Sequence, residues 1–415
     1  MARIETTTLA CGMPVLIERI EGVRSAAMTW LVPVGSAHDP IDRLGASALL
    51  GELLGRGAGD RDSRAWADAV DRLGVSDSIE HATFYMRLSA SMVGECLGEA
   101  LPLFVDVVLR PRLDESAIEP AKDLAQQSLA SLADEPTERA MLGARARHFA
   151  PPLDRSGYGT EEGIHACSRD GLASHWSGRA RPRGSILALA GDVDPTGVVG
   201  RLNELLGGWS GGASEADIGT EAPRGYAHEA DDSSQVQIVV MHDAPVDAHP
   251  DAMLERIVSS VLSGGMSGRL FTEVREKRGL CYSVSSSYQA GKEQGSVTGY
   301  VGTTPERAQE SLDVLWSELE RIGTPAGRVT QEEFERAVVG LKSRVVFAGE
   351  STAGRAAALA SDYHKLGRAR SLEDWTRELD EVTLERVNEY LGRRRMGRVT
   401  IQTLGPKELR APAGV

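Results

Sequence analysis

A chain of 415 residues is too long for one ordinary hydrophobic core, and about two to three domains are expected. Its 41% hydrophobic and 26% charged residues describe a soluble globular protein. The balance of 46 basic against 60 acidic residues, a formal charge of −14, argues against a nucleic-acid surface, which needs clustered Lys and Arg, and suits a basic peptide better.

From the N-terminus, alternation at 15–17 and 27–32 predicts two strands, followed by a polar turn at 35–42. Leu50, Leu53 and Leu54 recur at helical spacing and predict a helix over 44–54. A strand is expected at 82–88, helices at 97–109 and 115–132, an apolar strand from Ser185 into a turn at Gly191-Asp192, and a helix at 195–206. Between 207 and 224 the composition shifts to Gly, Ser, Ala and acidic residues, which is the signature of a linker. The order then repeats, with a strand at 235–241, a helix at 251–262, a strand at 295–301 and helices at 305–321 and 331–347. The stretches that begin at Arg112 and Arg328 occupy equivalent places, 216 residues apart (328 − 112). The resulting fold class is α+β: two related domains, each a mainly antiparallel sheet with helices packed on one face. The domains are expected over 1–210 and 227–415, with a linker at 211–226.

Cys11, Cys96, Cys167 and Cys281 lie far apart without C-x-x-C spacing, which argues against a disulfide framework and a thiolate zinc site alike. The N-terminus lacks a basic segment followed by an apolar one, and no run approaches the roughly 18 apolar residues of a membrane span, so a reducing cytoplasmic location is expected. The segment Gly264-Gly265-Met266-Ser267-Gly268 could bring backbone amides to an anion. It lacks the Lys-Ser/Thr ending of a phosphate loop and follows a helix instead of a strand, so a flexible loop is the better reading. His242 and His249 share one loop with no third donor in view, which leaves surface or capping roles. His38 and His81 are not paired at helical spacing with any metal-binding residue.

Several strings resemble the pitrilysin/insulinase zinc-metallopeptidase family, peptidase family M16, which includes the mitochondrial processing peptidases and the cytochrome bc1 core proteins. They are Gly35-Ser36-Ala37-His38-Asp39-Pro40, Gly159-Thr160-Glu161-Glu162-Gly163-Ile164, Ala190-Gly191-Asp192-Val193-Asp194-Pro195, and the run 264–283 ending in Arg278-Gly279-Leu280-Cys281-Tyr282-Ser283. Their shared order and spacing extend over nearly all the chain, and the resemblance implies a body that forms half of a peptidase chamber.

The family's chemistry depends on an inverted H-x-x-E-H motif, two His one turn apart holding zinc and a Glu acting as general base on the zinc-bound water. Counted from Gly35-Ser36, the motif falls on Ala48-Leu49-Leu50-Gly51-Glu52. Ala48 and Glu52 stand for the two His and Gly51 for the base. The resemblance places the third ligand on Ser128 and the auxiliary carboxylate on Ala121. None of the three motif roles is filled in kind, and no other cluster of His, Cys and carboxylates has ligand spacing, so neither metal nor cofactor is expected in this chain.

What the resemblance retains is the pair Arg278 and Tyr282, which in active relatives hold the substrate near the scissile carbonyl; Gly264, Gly265 and Gly268 mark the glycine-rich loop. The span 76–83 takes the place of the substrate-binding edge strand, with His81 read as an ordinary strand-surface histidine. The expected function is therefore a non-zinc subunit that binds unfolded peptide and supplies Arg278 and Tyr282 to a partner whose intact H-x-x-E-H motif carries the zinc. The alternative is a catalytically inactive binding or assembly protein of the same fold, paired with itself or docked in a larger complex.

Overall fold

In the computed structural model, which describes residues 4–414, an unanticipated β1 (Ile4–Thr8) precedes the two alternating segments, which become β2 (Pro14–Arg19) and β3 (Ser25–Val32). A short ribbon, β4 (Gly57–Ala58) and β5 (Arg61–Asp62), precedes β6 (Ser76–His81), β7 (Met86–Val93) and β8 (Ile186–Gly191). The main sheet runs β1-β2-β8-β3-β7-β6, antiparallel except for β2 beside β8. The strand expected at 82–88 straddles a hairpin. Ala82 N–H donates to the Tyr85 carbonyl (2.8 Å), and the turn between β6 and β7 carries no Gly or Pro to announce it.

The helices of this half are α1 (Ala46–Leu54), α2 (Ser63–Arg72), α3 (Leu97–Leu109), α4 (Glu115–Ser131), α5 (Pro136–His148), α6 (Glu161–Ala166), α7 (Arg169–Arg179) and α8 (Pro195–Leu205). One face of the sheet joins α1 and α3 in a core that includes Trp30, Phe104, Leu49, Leu50, Leu53 and Leu54. Burying each leucine of α1 contributes about 2 kcal/mol, so this helix needs no metal to hold its place.

The second half contributes β9 (Gly225–Ala230), β10 (Val236–Ala244), β11 (Cys281–Ala290), β12 (Gly295–Thr303) and β13 (Thr400–Gly405) to a five-stranded sheet ordered β11-β12-β10-β13-β9. Again one pair is parallel, β13 with β9. Its helices are α9 (Ala252–Ser263), α10 (Ala308–Arg321), α11 (Gln331–Gly349), α12 (Thr352–Leu366), α13 (Leu372–Asp380) and α14 (Leu384–Arg393).

Two compact units result, but they are not the contiguous halves expected at 1–210 and 227–415. The first contains the chain as far as Ser131, then Arg155–Ile218 and Ala348–Ser371; the second contains Leu132–Asp154, Gly219–Phe347 and the chain from Leu372 onward. Each half therefore lends the other one helix. In the first unit α12 covers the second face of the sheet, seating Ala356, Leu359 and Ala360 against Leu16, Ala27, Leu31, Ala188 and Ala190. In the second unit α5 does the same, with Ala140 and Ala144 against Val239, Met241, Tyr300 and Leu404. The expected helical layer is thus joined by a helix on the opposite face. The reason lies in the strands: all of Ile186–Gly191 is buried, so this strand is apolar on both faces, and a bare second face would stay in water.

The seat of α12 includes a buried ion pair. Arg355 Nε donates to Glu18 Oε2 at 2.7 Å, both residues being 2% exposed, and Arg355 Nη2 donates to the Arg370 carbonyl at 3.2 Å. Arg355→Ala leaves the Glu18 carboxylate charged in a low-dielectric interior and is expected to cost about 3–5 kcal/mol in urea unfolding of the first unit, whereas joint replacement of Glu18 and Arg355 by Leu recovers most of it. A loss below about 1 kcal/mol for the single variant contradicts this account of the seat.

Candidate functional site

In the first unit the start of α1 is fixed by the residues before it. Asp39 is buried and its carboxylate accepts from Gly45 N–H (3.0 Å), Ser47 N–H (3.0 Å) and Ser47 Oγ–H (2.5 Å), capping three donors at the helix N-terminus. Burial pushes the Asp39 carboxyl above its usual range, and these bonds pull it back only in part. Gly45 has φ +108°, and a Cβ there would stand 2.8 Å from Ile164 Cγ1, so only glycine lets α6 pack so close to the helix start.

So anchored, α1 turns Ala48, Gly51 and Glu52 toward Ala121, Leu124, Ala125 and Ser128 of α4. Ile79, Glu80 and His81 of the edge strand β6 form the third wall, and Gly157 and Tyr158 complete a cleft of about 550 Å³. Ala48, Gly51, Glu52, Ala121 and Ser128, separated by up to 80 positions in the sequence (128 − 48), thus line one cavity.

Few metal donors remain there. Glu52 pairs with Arg56 one turn on, Ser128 Oγ–H donates back to the Leu124 carbonyl (3.0 Å), and Ala121 is buried and inert. His81 Nε2 lies 2.9 Å from the Gly157 carbonyl; a carbonyl can only accept, so Nε2 carries the proton. Among the described residues no group of three or more His, Cys, Asp or Glu side chains could hold a metal ion. Zinc needs at least three converging donors from the protein, and these side chains do not fit it.

His81 is the residue that sequence reading undervalued. It is half-buried and ties β6 to a loop 76 residues away, a contact without local signal in the sequence.

The second unit holds the other predicted residues. Tyr282, near the start of β11, is 82% exposed, with the Arg275 guanidinium 5.2 Å from its ring centroid. Arg278 is partly exposed and its Nη1 donates to the Glu273 carbonyl (2.6 Å) and to Glu273 Oε2 (2.8 Å). Lys277 Nζ holds the other oxygen of that carboxylate at 2.7 Å, and these two cations, Lys277 first, keep the Glu273 carboxyl below its usual range. Gly264 ends α9, and Gly265 has φ +144°, a conformation open to glycine alone.

His242 and His249 do not meet as ligands. His249 Nδ1 accepts from the Asp251 N–H at 3.1 Å, at the start of α9, a capping role. His242 is buried, with Nδ1 2.8 Å from the Asp243 carbonyl and Nε2 accepting from Arg394 Nη2 (3.0 Å), whose guanidinium also forms two 2.8 Å bonds to Glu255. Burial, then the Arg394 charge, lowers the His242 pKa to about 4.

Comparison with known proteins gives the same outline. A family model described as insulinase, peptidase family M16, matches residues 14–153, and one described as the peptidase M16 inactive domain matches residues 168–341. An uncharacterized zinc protease of Mycobacterium tuberculosis is 28% identical over 98% of this chain and 96% of its own length; one of Bacillus subtilis is 24% identical over 93% and 94%. Among solved structures, a peptidase M16 inactive domain from Pseudomonas fluorescens superposes with a TM-score of 0.88 at 21% identity, covering 99% of both chains, and a protease from Helicobacter pylori with 0.83 at 17%, covering 97% of this chain and all of that one. Among the described residues no helix is long and apolar enough to cross a membrane. With two M16 models in tandem and the same fold, this chain belongs to peptidase family M16.

Proposed function

We propose that this chain is the non-zinc subunit of a two-subunit peptidase: it binds unfolded peptide and supplies Arg278 and Tyr282 to a related partner that carries an intact H-x-x-E-H motif and the zinc. The observation that carries this reading is the contrast between the two sites. The metal positions are gathered in one cleft without a usable ligand set, while Tyr282 is 82% exposed. Exposure leaves the Tyr282 phenol open to a bound substrate.

The donors suit a developing oxyanion, since a guanidinium and a phenol both present N–H or O–H groups to it. Arg278 is bound to Glu273, but Lys277 shares that carboxylate, so Arg278 can swing to a substrate without leaving Glu273 as a lone charge.

The test is peptide hydrolysis by the chain purified with a family member of the same organism that carries H-x-x-E-H. Activity is expected only in the mixture, and Arg278→Ala or Tyr282→Ala should each lower kcat about 10²-fold or more. Activity in the mixture that both variants leave intact would reassign the chain to a binding or assembly role.

A further inference from the structure

The cleft left by the metal positions has a hydrogen-bonding polarity of its own. Ser128 Oγ has spent its proton on the Leu124 carbonyl and offers only lone pairs, and His81 Nε2–H is spent on Gly157, which leaves Nδ1 as that ring's acceptor. His81 Nδ1 faces α1, 3.6 Å from where a Cβ on Gly51 would stand. Glu52 adds a carboxylate, and no lysine or arginine is among the residues of the wall. Between these acceptors lies an apolar floor of Ala48, Ala121, Leu124, Ala125 and Ile79.

A site that offers acceptors, negative charge and an aliphatic floor is complementary to a long side chain with a cationic tip. We propose that the erased metal centre is a pocket for a lysine or arginine side chain of a bound extended peptide, the aliphatic stem lying on the alanine floor and the ammonium or guanidinium donating to Glu52 and His81 Nδ1. This rests on the peptide-binding reading above and adds which residue of the peptide the cleft selects. Arg56 pairs with Glu52 from outside the wall. That pair is solvent-exposed and therefore weak, and both of its bonds go to Glu52 Oε1, which leaves Oε2 for a second donor. The formal charge of −14 draws a basic peptide toward the chain at low ionic strength.

The test uses the full chain and a short, fluorescently labelled peptide of Ser, Gly and Ala with one central lysine, matched against the same peptide carrying norleucine, which keeps the stem and lacks the charge. Fluorescence anisotropy should show the lysine peptide bound about tenfold more tightly, with the preference falling as salt is raised. Glu52→Gln should abolish the preference, and Gly51→Leu, which fills the cleft, should abolish binding of both peptides. Equal binding of lysine and norleucine peptides overturns the cationic pocket while leaving peptide binding in place, and no binding of either overturns both readings. A lysine preference that survives Gly51→Leu puts the contact elsewhere and likewise sinks the proposal.

Discussion

Replacing Ala48 and Glu52 by His and Ser128 by Glu is expected to make this chain bind about one zinc ion. Positions 48 and 52 are one helical turn apart, so two imidazoles there project from the same face of α1. Position 128 lies on α4 across the same cleft, and all three line it. The scaffold need not be rebuilt, because Leu49, Leu50, Leu53 and Leu54 hold α1 in the core and Asp39 holds its first turn. Removing Glu52 breaks only its exposed pair with Arg56. Metal analysis after dialysis reads the stoichiometry, and the melting temperature should rise with added zinc, by about 4 kcal/mol of stability at a thousandfold excess over Kd. A folded triple variant without zinc would mean that the cleft does not have the geometry of the erased centre.

The second large effect is sensitivity to acid. Burial lowers the pKa of His38 to about 3, with the charge of Arg179 next in weight, and lowers His175 to about 4, with Arg179 and Arg43 next. In the second unit burial lowers His148 to about 4, with Arg224 next, and His242 to about 4, with Arg394 next. Each folded-state pKa lies below the unfolded value of 6.5, so as pH falls it is the unfolded chain that takes up the proton first. Their contribution to stability is therefore complete above about pH 6.5 and is lost between there and about pH 4. At about 1.4 kcal/mol per pH unit for each group, two histidines withdraw about 3 kcal/mol per pH unit from each unit. Asp39, with its pKa raised by burial, acts in the opposite sense, but as a single group against His38 and His175. Guanidinium unfolding at a series of pH values from 7.5 down should show midpoints falling steeply below pH 6.5, and His148→Gln should flatten the fall in the second unit. Midpoints constant from pH 7 to pH 5 would contradict the burial of these rings as neutral species.

The two effects draw on different levels of information. The absence of an H-x-x-E-H string is a statement about residue types at fixed spacing, and Ala48, Gly51 and Glu52 carry it without any structure, since neither Ala48 nor Glu52 is a histidine and Gly51 has no carboxylate. The paired α+β halves were equally legible, because helical spacing in segments such as 97–109 and 331–347 is set by local periodicity. By contrast, the engagement of His81 with Gly157 depends on two segments 76 residues apart, and no local pattern encodes that meeting. The hairpin at 82–85 was hidden for a related reason: its apolar residues continue the pattern of the strands, and the backbone bonds from Ser36 N–H to Ala82 and from Ala37 N–H to Thr83 hold the turn in the place of a Gly or Pro.

The sequence by itself determined that no H-x-x-E-H string follows Gly35-Ser36, that the chain forms two α+β domains, and that an Arg278-x-x-x-Tyr282 string is present, because these rest on residue identity and short-range spacing. Only the tertiary structure decided which helix covers which sheet. Ile186–Gly191 announces, through its lack of any polar residue, that both faces are buried, but not that α12 from the far half supplies the cover. Burial of apolar surface is non-directional, so any helix of suitable shape could satisfy it, and the choice falls to long-range partners such as Glu18 with Arg355 that meet only in the folded chain.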